Sequence, residues 1–373
     1  MLGLFGTLGM GARAMNAQRA GVEVAGQNLA NVNNPAYARQ RVSIQSAIAI
    51  QSEMGQQGTG ADAVAITSMR SAVLDDQIQA EASNRGLLES VQLALQYAQA
   101  ALGTQIDTTT TNAEGSTAAQ GVGGAHSLSD SLSELFSAFQ SWSTNPTSMA
   151  ERQTLLMKAS SLALQFNQLD TRLDNLNDSL NATIQSEVSV VNQLLTDIAS
   201  LNQKITTAES AAGANANDLR DTRQARLEEL AKYVNLDLAP GNGSSINISI
   251  GGVTMVSSTQ VTDTVEAYDA GGGQYLLRTT TAGHPLTLTG GSIAGTIDAR
   301  DGAISDLNSK INSLASLLIT EVNNVHAAGI SLSEHAGAAF FTGSNAADIG
   351  VNAALVNDPT LLQAASARWR FRQ

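Results

Sequence analysis

The sequence predicts a mainly α-helical, elongated, multi-domain chain with a long-helix bundle core and a small inserted β domain. Three observations predict it. Apolar residues recur at alternating spacings of three and four over long stretches, as in helices packed along a seam. Between about residues 236 and 296 that period gives way to short alternating runs separated by glycines. Hydrophobic residues are 43% of the 373, yet aromatic ones only 4%. Cores drawn from Leu, Ala, Val and Ile suit packed helices better than a broad enzyme cleft, and the length allows two or three of them.

In chain order, residues 4–32 read as an amphipathic helix. Leu8, Met15, Val22 and Leu29 recur every seven positions, and Leu4, Gly11, Gln18, Ala25 and Val32 form a second row. The stripe is narrow and rich in small residues. Gly3, Gly6, Gly9, Gly11, Gly21 and Gly26 each weaken an isolated helix by up to about 1 kcal/mol relative to Ala. The expectation is a segment largely disordered in the free monomer that becomes a good helix on a partner. Asn31-Val-Asn-Asn-Pro35 stops it, because Pro35 lacks a donor and restricts Asn34. Tyr37 to Ile44 then reads as extended, and residues 61–68 as a short strand.

A second helix is expected from about Met69 to Leu102, with Leu88, Val91, Leu95, Ala98 and Leu102 on its packed face. A polar loop of low complexity covers Gly103 to Ala125. Ser127 caps a helix carrying Leu128, Leu132, Leu135, Phe136, Phe139 and Trp142, which Asn145-Pro146 ends, and Ser148 begins another. Its seam runs Leu162, Phe166, Leu169, Leu173, Leu176, Leu180, Ile184, Val188, Val191, Leu195, Ile198 and Ile205, with a stutter at Leu180-Ile184-Val188. A helix over Asp218–Tyr233 follows, then glycine-separated strands, then a last helix over Ala299–His326. The remainder from Gly329 reads as irregular. The expected divisions are 1–46 (an axial coiled-coil segment), 47–235 (helical core), 236–296 (inserted β domain) and 297–373 (return helix and tail).

Charge narrows the partners. The formal net charge is −13 with 14% charged residues, which argues against nucleic acid. Residues 1–46 differ, setting Arg13, Arg19, Arg39 and Arg41 against Glu23 alone. A segment with its own charge and pattern suggests a separate interaction element. With no cysteine, disulfides and thiolate metal sites are excluded. No apolar run reaches the length of a membrane span, and the N-terminus lacks the plan of a Sec signal peptide.

Nothing in the sequence composes a catalytic site, and no cofactor or metal is expected. His126, His284, His326 and His335 have no metal-ligand spacing. His335 beside Glu334, with Glu321 upstream, reads as a solvated loop. Asp75-Asp76 and Glu228-Glu229 are adjacent on helices, where neighbours diverge.

The run Val24-Ala-Gly-Gln-Asn28-Leu-Ala-Asn31-Val-Asn33-Asn-Pro35-Ala-Tyr37 resembles the rod and hook family of flagellar axial proteins. Asn34 and Ala36 depart from that family's usual Thr and Gly around the proline, and both still permit a turn. Phe136 to Trp142, Asn145-Pro146-Thr147-Ser148, Arg152-Gln153, Asn217-Asp218-Leu219, Glu321 to His326 and Phe340-Phe341-Thr342 are similar to the hook-associated protein 1 branch. The resemblance implies a nonenzymatic subunit joining hook to filament by self-assembly. Leu8, Met15, Val22 and Leu29 would then belong to an inner coiled-coil contact. The implied partners are copies of itself, the hook protein, the adjoining junction protein and a flagellar export chaperone, with type III export instead of a Sec signal. It also implies C-terminal helices beyond Ser366, where this sequence has Arg368-Trp-Arg-Phe-Arg-Gln373, so a truncated reading frame is expected. A hook or distal rod protein is the nearest alternative, and a flagellum-linked peptidoglycan hydrolase a more distant one.

Overall fold

A computed structural model describes residues 3–52, 55–102, 128–212, 215–332 and 337–365. The polar loop after Gly103, Ser127, His126, Glu334, His335 and the terminal arginines lie outside them. In chain order the elements are helix α1 (Leu4–Ala30), strands β1 (Gln40–Ser46), β2 (Ile50–Ser52), β3 (Gly55–Gln57) and β4 (Ala61–Ser68), and helices α2 (Ala72–Ala101), α3 (Leu128–Thr144), α4 (Met149–Ala212) and α5 (Asn217–Ala231). Strands β5 (Asp237–Pro240), β6 (Ile246–Ile250), β7 (Val253–Ser257), β8 (Gln260–Val261), β9 (Val265–Asp269) and β10 (Tyr275–Thr279) precede α6 (Gly291–Ala299). A π-turn (Arg300–Ile304) leads into α7 (Ser305–Ala327). Strands β11 (Ile330–Ser331), β12 (Phe341–Thr342) and β13 (Gly350–Val351), helix α8 (Ala353–Asn357), a 3-10 turn (Pro359–Leu361) and β14 (Gln363–Ala365) follow. The mainly helical class with small sheets is as the sequence predicts.

The chain forms two compact units. The first comprises residues 1–90 and 183–297, the second 91–182 and 298–373. All twelve seam residues of α4 are buried, and the stutter marks where the seam changes core. Leu162 to Leu180 pack in the second unit, Ile184 to Ile198 in the first.

In the first unit, Ile184, Val191 and Ile198 of α4 meet Leu227 and Leu230 of α5 and the inward residues Ile248, Ile250 and Met255 of the sheet. Strands β5-β6-β7-β8 form an antiparallel meander, and β9 pairs with β10. Two asparagines of α4 fasten strands by imitating a peptide. Asn192 donates to Val265 O (2.7 Å) and accepts from Val265 N (2.9 Å). Asn202 donates to Ile246 O (2.8 Å) and Ser258 O (2.6 Å). Each satisfies a backbone group that the ladder leaves open.

The last helical run corrects two expectations. It starts at Gly291, eight residues ahead of Ala299, so the end of the 236–296 segment is helical. Gly290 and Gly291 read as turn residues, and Gly291 does take a φ of +87°, but these two and Gly295 also serve close packing. A β-carbon on Gly295 would collide with the Leu87 carbonyl, and one on Gly291 with the Tyr233 carbonyl. The packed face of α2 holds in part: Ala98 is buried and Val91 and Leu102 pack beside the cores, as expected. Ala94 is buried as well, whereas Leu88 and Leu95 are 65% and 42% exposed. Small side chains let α2 approach Leu176 and Leu180 closely.

In the second unit the core runs along Leu135, Trp142, Leu155, Phe166, Ile311 and Ile319 and takes in Phe340, Phe341, Ile349, Leu355 and Leu362. The stretch after Gly329, expected as irregular, thus supplies core residues. Asn323 of α7 holds it, accepting from Phe340 N and Phe341 N (2.8 Å each) and donating to Phe341 O (2.9 Å).

His326 closes the same arrangement. It is buried, its Nδ1 lies 2.8 Å from Ala338 O, and its Nε2 accepts from Gln363 N at 3.1 Å. A carbonyl can only accept and an amide N–H only donate, so the ring is the neutral Nδ1–H tautomer. Burial lowers its pKa below the ordinary 6.5. A depressed folded pKa means the unfolded chain binds the proton first on acidification. The stability this group contributes is full above about pH 6.5 and is lost as pH falls towards the folded pKa. Urea midpoints should therefore decline from about pH 6.5 downward, more steeply in the native chain than in His326→Gln. Equal slopes would contradict this.

A candidate assembly surface on the first helix

Helix α1 is formed over Leu4–Ala30 in the single chain, where residues 1–46 were expected to be largely disordered without a partner, because it packs on its own hairpin; it has two opposed faces. Met10, Ala17 and Val24 lie seven residues apart; Ala17 and Val24 are buried, and Met10 approaches Gly60. This face packs on β1 and β4, which form an antiparallel hairpin with an irregularity between Ser43 and Ile44. Leu8, Met15, Val22 and Leu29 are offset from that row by two residues, about 200° around the helix. They point away from the hairpin and are 69%, 69%, 72% and 74% exposed. Leu4 (82%), Phe5 (87%) and Val32 (70%) extend the apolar surface at either end. Covering four such side chains is worth about 1.5–3 kcal/mol each.

The asparagine-rich motif fixes the exit from the helix. Asn31 ends α1 by donating its side-chain amide to Gln27 O (3.0 Å), and Asn34 Oδ1 accepts from Ala36 N (3.1 Å) to set the turn. Asn33 and Pro35 are exposed within it. Asn28 ties helix to strand. Its Oδ1 accepts from Gln40 N (2.9 Å) and Tyr37 Oη (3.0 Å), and its Nδ2 donates to Gln40 O (2.9 Å). Burial, with Asp218 and Asp221 nearby, raises the Tyr37 pKa and keeps the phenol a donor.

Asn28→Ala would leave both backbone groups of buried Gln40 without that partner. The expected cost is about 2–3 kcal/mol, with faster amide exchange at Gln40. A loss below about 0.5 kcal/mol would show that water replaces the bonds.

Helix α5 locks the hairpin through groups that sequence reasoning missed. Asp221 accepts from Ala38 N (2.9 Å) and from Arg70 Nη1 (3.3 Å), and Asp218 accepts from Gln40 Nε2 (3.0 Å). Arg70 also forks onto Asp75, both bonds at 3.1 Å, and Asn217 donates to Ile66 O (2.9 Å). Burial raises the Asp221 pKa, a shift that Ala38 N–H and Arg70 oppose. The available signal was Asp218 and Asp221 three apart on one helix face, with a lone Arg70 between strand and helix.

The arrangement positions an apolar helix face. Among the described residues, no set of three or more His, Asp or Glu side chains is placed to hold a metal. No helix among them is long and apolar enough to cross a membrane.

Comparison with known proteins places this architecture. Residues 117–341 match the model of the flagellar hook-associated protein FlgK helical domain. The flagellar hook-associated protein 1 of Bacillus subtilis is 25% identical over 367 residues, covering 88% of this chain and 68% of that protein. That of Salmonella typhimurium is 27% identical over 374 residues, covering 94% of this chain and 63% of the relative. The chain thus spans roughly two thirds of the length of these relatives. The solved structure of the flagellar hook junction protein FlgK from Burkholderia pseudomallei shares the fold, with a TM-score of 0.59 at 20% identity over 73% of this chain and 46% of that one. With a family match across more than half its length, the chain belongs to the flagellar hook-associated protein FlgK family.

Proposed function

We propose that the chain is a nonenzymatic structural subunit of the bacterial flagellum that joins hook to filament by self-assembly. The observation that carries this is the exposed apolar row of α1, set opposite the face that anchors the helix to its own hairpin. A helix whose anchored side is separate from its apolar side can hold that side ready for a second helix without unfolding. In this reading residues 1–46 are the axial coiled-coil segment, with Leu8, Met15, Val22 and Leu29 as the contact. Asn28, Asn31, Asn33, Pro35 and Tyr37 hold its angle to the rest of the chain. Residues 47–235, with strands β2 to β4 at their start, and 291–373 serve the helical core, and 236–290 the inserted β domain.

The proposed partners are further copies of the chain, the hook protein, the adjoining junction protein and an export chaperone. Export proceeds by the flagellar route, without a Sec signal. Family membership supports assembly with flagellar components, and the names of the relatives point to the hook-associated position.

Immunogold electron microscopy tests the location. Antibodies against residues 215–332 should decorate a narrow band between hook and filament on flagella of the source bacterium. Label along the hook itself would favour a hook protein, and label confined to the cell envelope a rod protein or hydrolase.

A further inference from the structure

We infer that Asn242 is a site of spontaneous deamidation and isoaspartate formation, a covalent modification independent of the assembly role. Asn242-Gly243 lies in the turn between β5 and β6, and both residues are exposed. The Asn242 side-chain amide makes no hydrogen bond among the described residues. The turn is held through other atoms. Gly241 N donates to Ser245 O (3.0 Å), Asn242 N to Ser258 Oγ (3.1 Å), and Ser245 Oγ to Asn242 O (2.7 Å). The Gly243 amide is bonded to no backbone or side-chain acceptor among the described residues, so its proton is open to base.

The reaction needs the Gly243 nitrogen to reach the Asn242 side-chain carbon. Glycine permits this because no β-carbon blocks the approach, and Gly243 already sits at φ +64°. The nitrogen gives up its proton and bonds to Cγ. The Cγ–Nδ2 bond breaks, and ammonia leaves carrying the proton, giving a cyclic succinimide. Water then opens the ring. Attack at the former side-chain carbonyl gives aspartate, and attack at the main-chain carbonyl gives isoaspartate. The net change is water gained and ammonia lost, with no oxidant or reductant.

Among the described residues, three other asparagines before small residues are held away from this path. Asn308-Ser309 and Asn312-Ser313 lie within α7, where helical backbone keeps the next nitrogen from the side-chain carbon. Asn345 already spends its Oδ1 on Ala347 N (2.9 Å).

The consequence falls on a defined network. Ser244, next in the turn, accepts from buried Arg223 (2.8 Å) and donates to Glu209, which also pairs with Arg220 (2.7 Å). Isoaspartate routes the main chain through an extra carbon and disturbs the spacing that closes the turn. Aspartate adds a negative charge two residues from Ser244, which is bonded to Glu209, without lengthening the chain.

The test is to age the folded chain at mildly alkaline pH and follow it by peptide mass mapping, with isoaspartyl methyltransferase labelling to separate the two products. A urea-unfolded sample runs in parallel. The peptide holding Asn242 should gain about one dalton at comparable rates folded and unfolded. Peptides holding Asn308 and Asn312 should convert only when unfolded. Asn242→Gln should abolish the methyl acceptor in this peptide, and Gly243→Ala should slow its formation several-fold. An Asn242 amide that survives in the folded chain while converting in the unfolded one would overturn the inference. So would equal conversion of Asn308 in the folded chain.

Discussion

Replacing Arg152 by methionine should destabilise the second unit by about 3–5 kcal/mol, because it removes one side of a buried polar assembly and leaves the other unpaired. Arg152 is 1% exposed and sits on the first turn of α4. Its Nε and Nη2 donate to Pro146 O (3.0 and 2.8 Å), and its Nη1 donates to Pro359 O (3.0 Å) and Leu362 O (2.8 Å). The guanidinium also lies 5.3 Å from the centre of the Trp142 ring. Burial lowers its pKa, and among the described residues no carboxylate pairs with it. Three carbonyls and an aromatic face carry the charge, so a methionine of similar length fills the space but offers no donor. Arg152→Lys should recover only part of the loss, since one ammonium cannot span acceptors more than 200 residues apart in sequence with the same planar fork. Urea unfolding gives the cost, and amide exchange should quicken first around residues 359–365. A loss under about 1 kcal/mol would mean water satisfies those carbonyls.

The second large effect separates folding from assembly. Changing Leu8, Met15, Val22 and Leu29 together to glutamine should leave the stability of the isolated chain within about 0.5 kcal/mol. Exposed substitutions that respect helix propensity cost little. The same four changes should abolish incorporation into flagella, since about 1.5–3 kcal/mol of burial per side chain is removed from each contact. Ala17→Gln and Val24→Gln, on the buried face, should do the reverse and loosen α1 from its hairpin in the free chain. Equal destabilisation by both sets would show that the two faces of α1 are not distinct in role.

The seam of α4 was legible because its period is long and few residues interrupt it. Every one of its positions from Leu162 to Ile205 is buried. The exposed row of α1 was legible for the same reason, but the face that anchors the helix was not. Met10, Ala17 and Val24 include a small residue that carries little hydrophobic signal, and only the hairpin beneath them gives them a role. On α2, Leu88 and Leu95 misled because leucine signals burial more strongly than alanine, whereas close helix approach selects Ala94 beside the expected Ala98. Gly290 and Gly291 read as turns, and Gly291 does sit at φ +87°, but sequence alone does not show that both positions, like Gly295, also need the lack of a β-carbon. The lock on the hairpin joins Ala38 and Gln40 to Asp221 and Asp218 across about 180 residues. No local pattern encodes that pairing.

Cysteine protection tests the central claim most directly, because the sequence contains no cysteine and a single introduced thiol reports alone. Val22→Cys and Val24→Cys would be compared in the free chain and in purified hook–filament assemblies containing it. The account predicts that the thiol at 22 reacts with maleimide readily in the free chain and becomes protected in the assembly, while the thiol at 24 is protected in both. A thiol at 22 that reacts in the assembly as fast as in the free chain would contradict the assignment of this face to assembly.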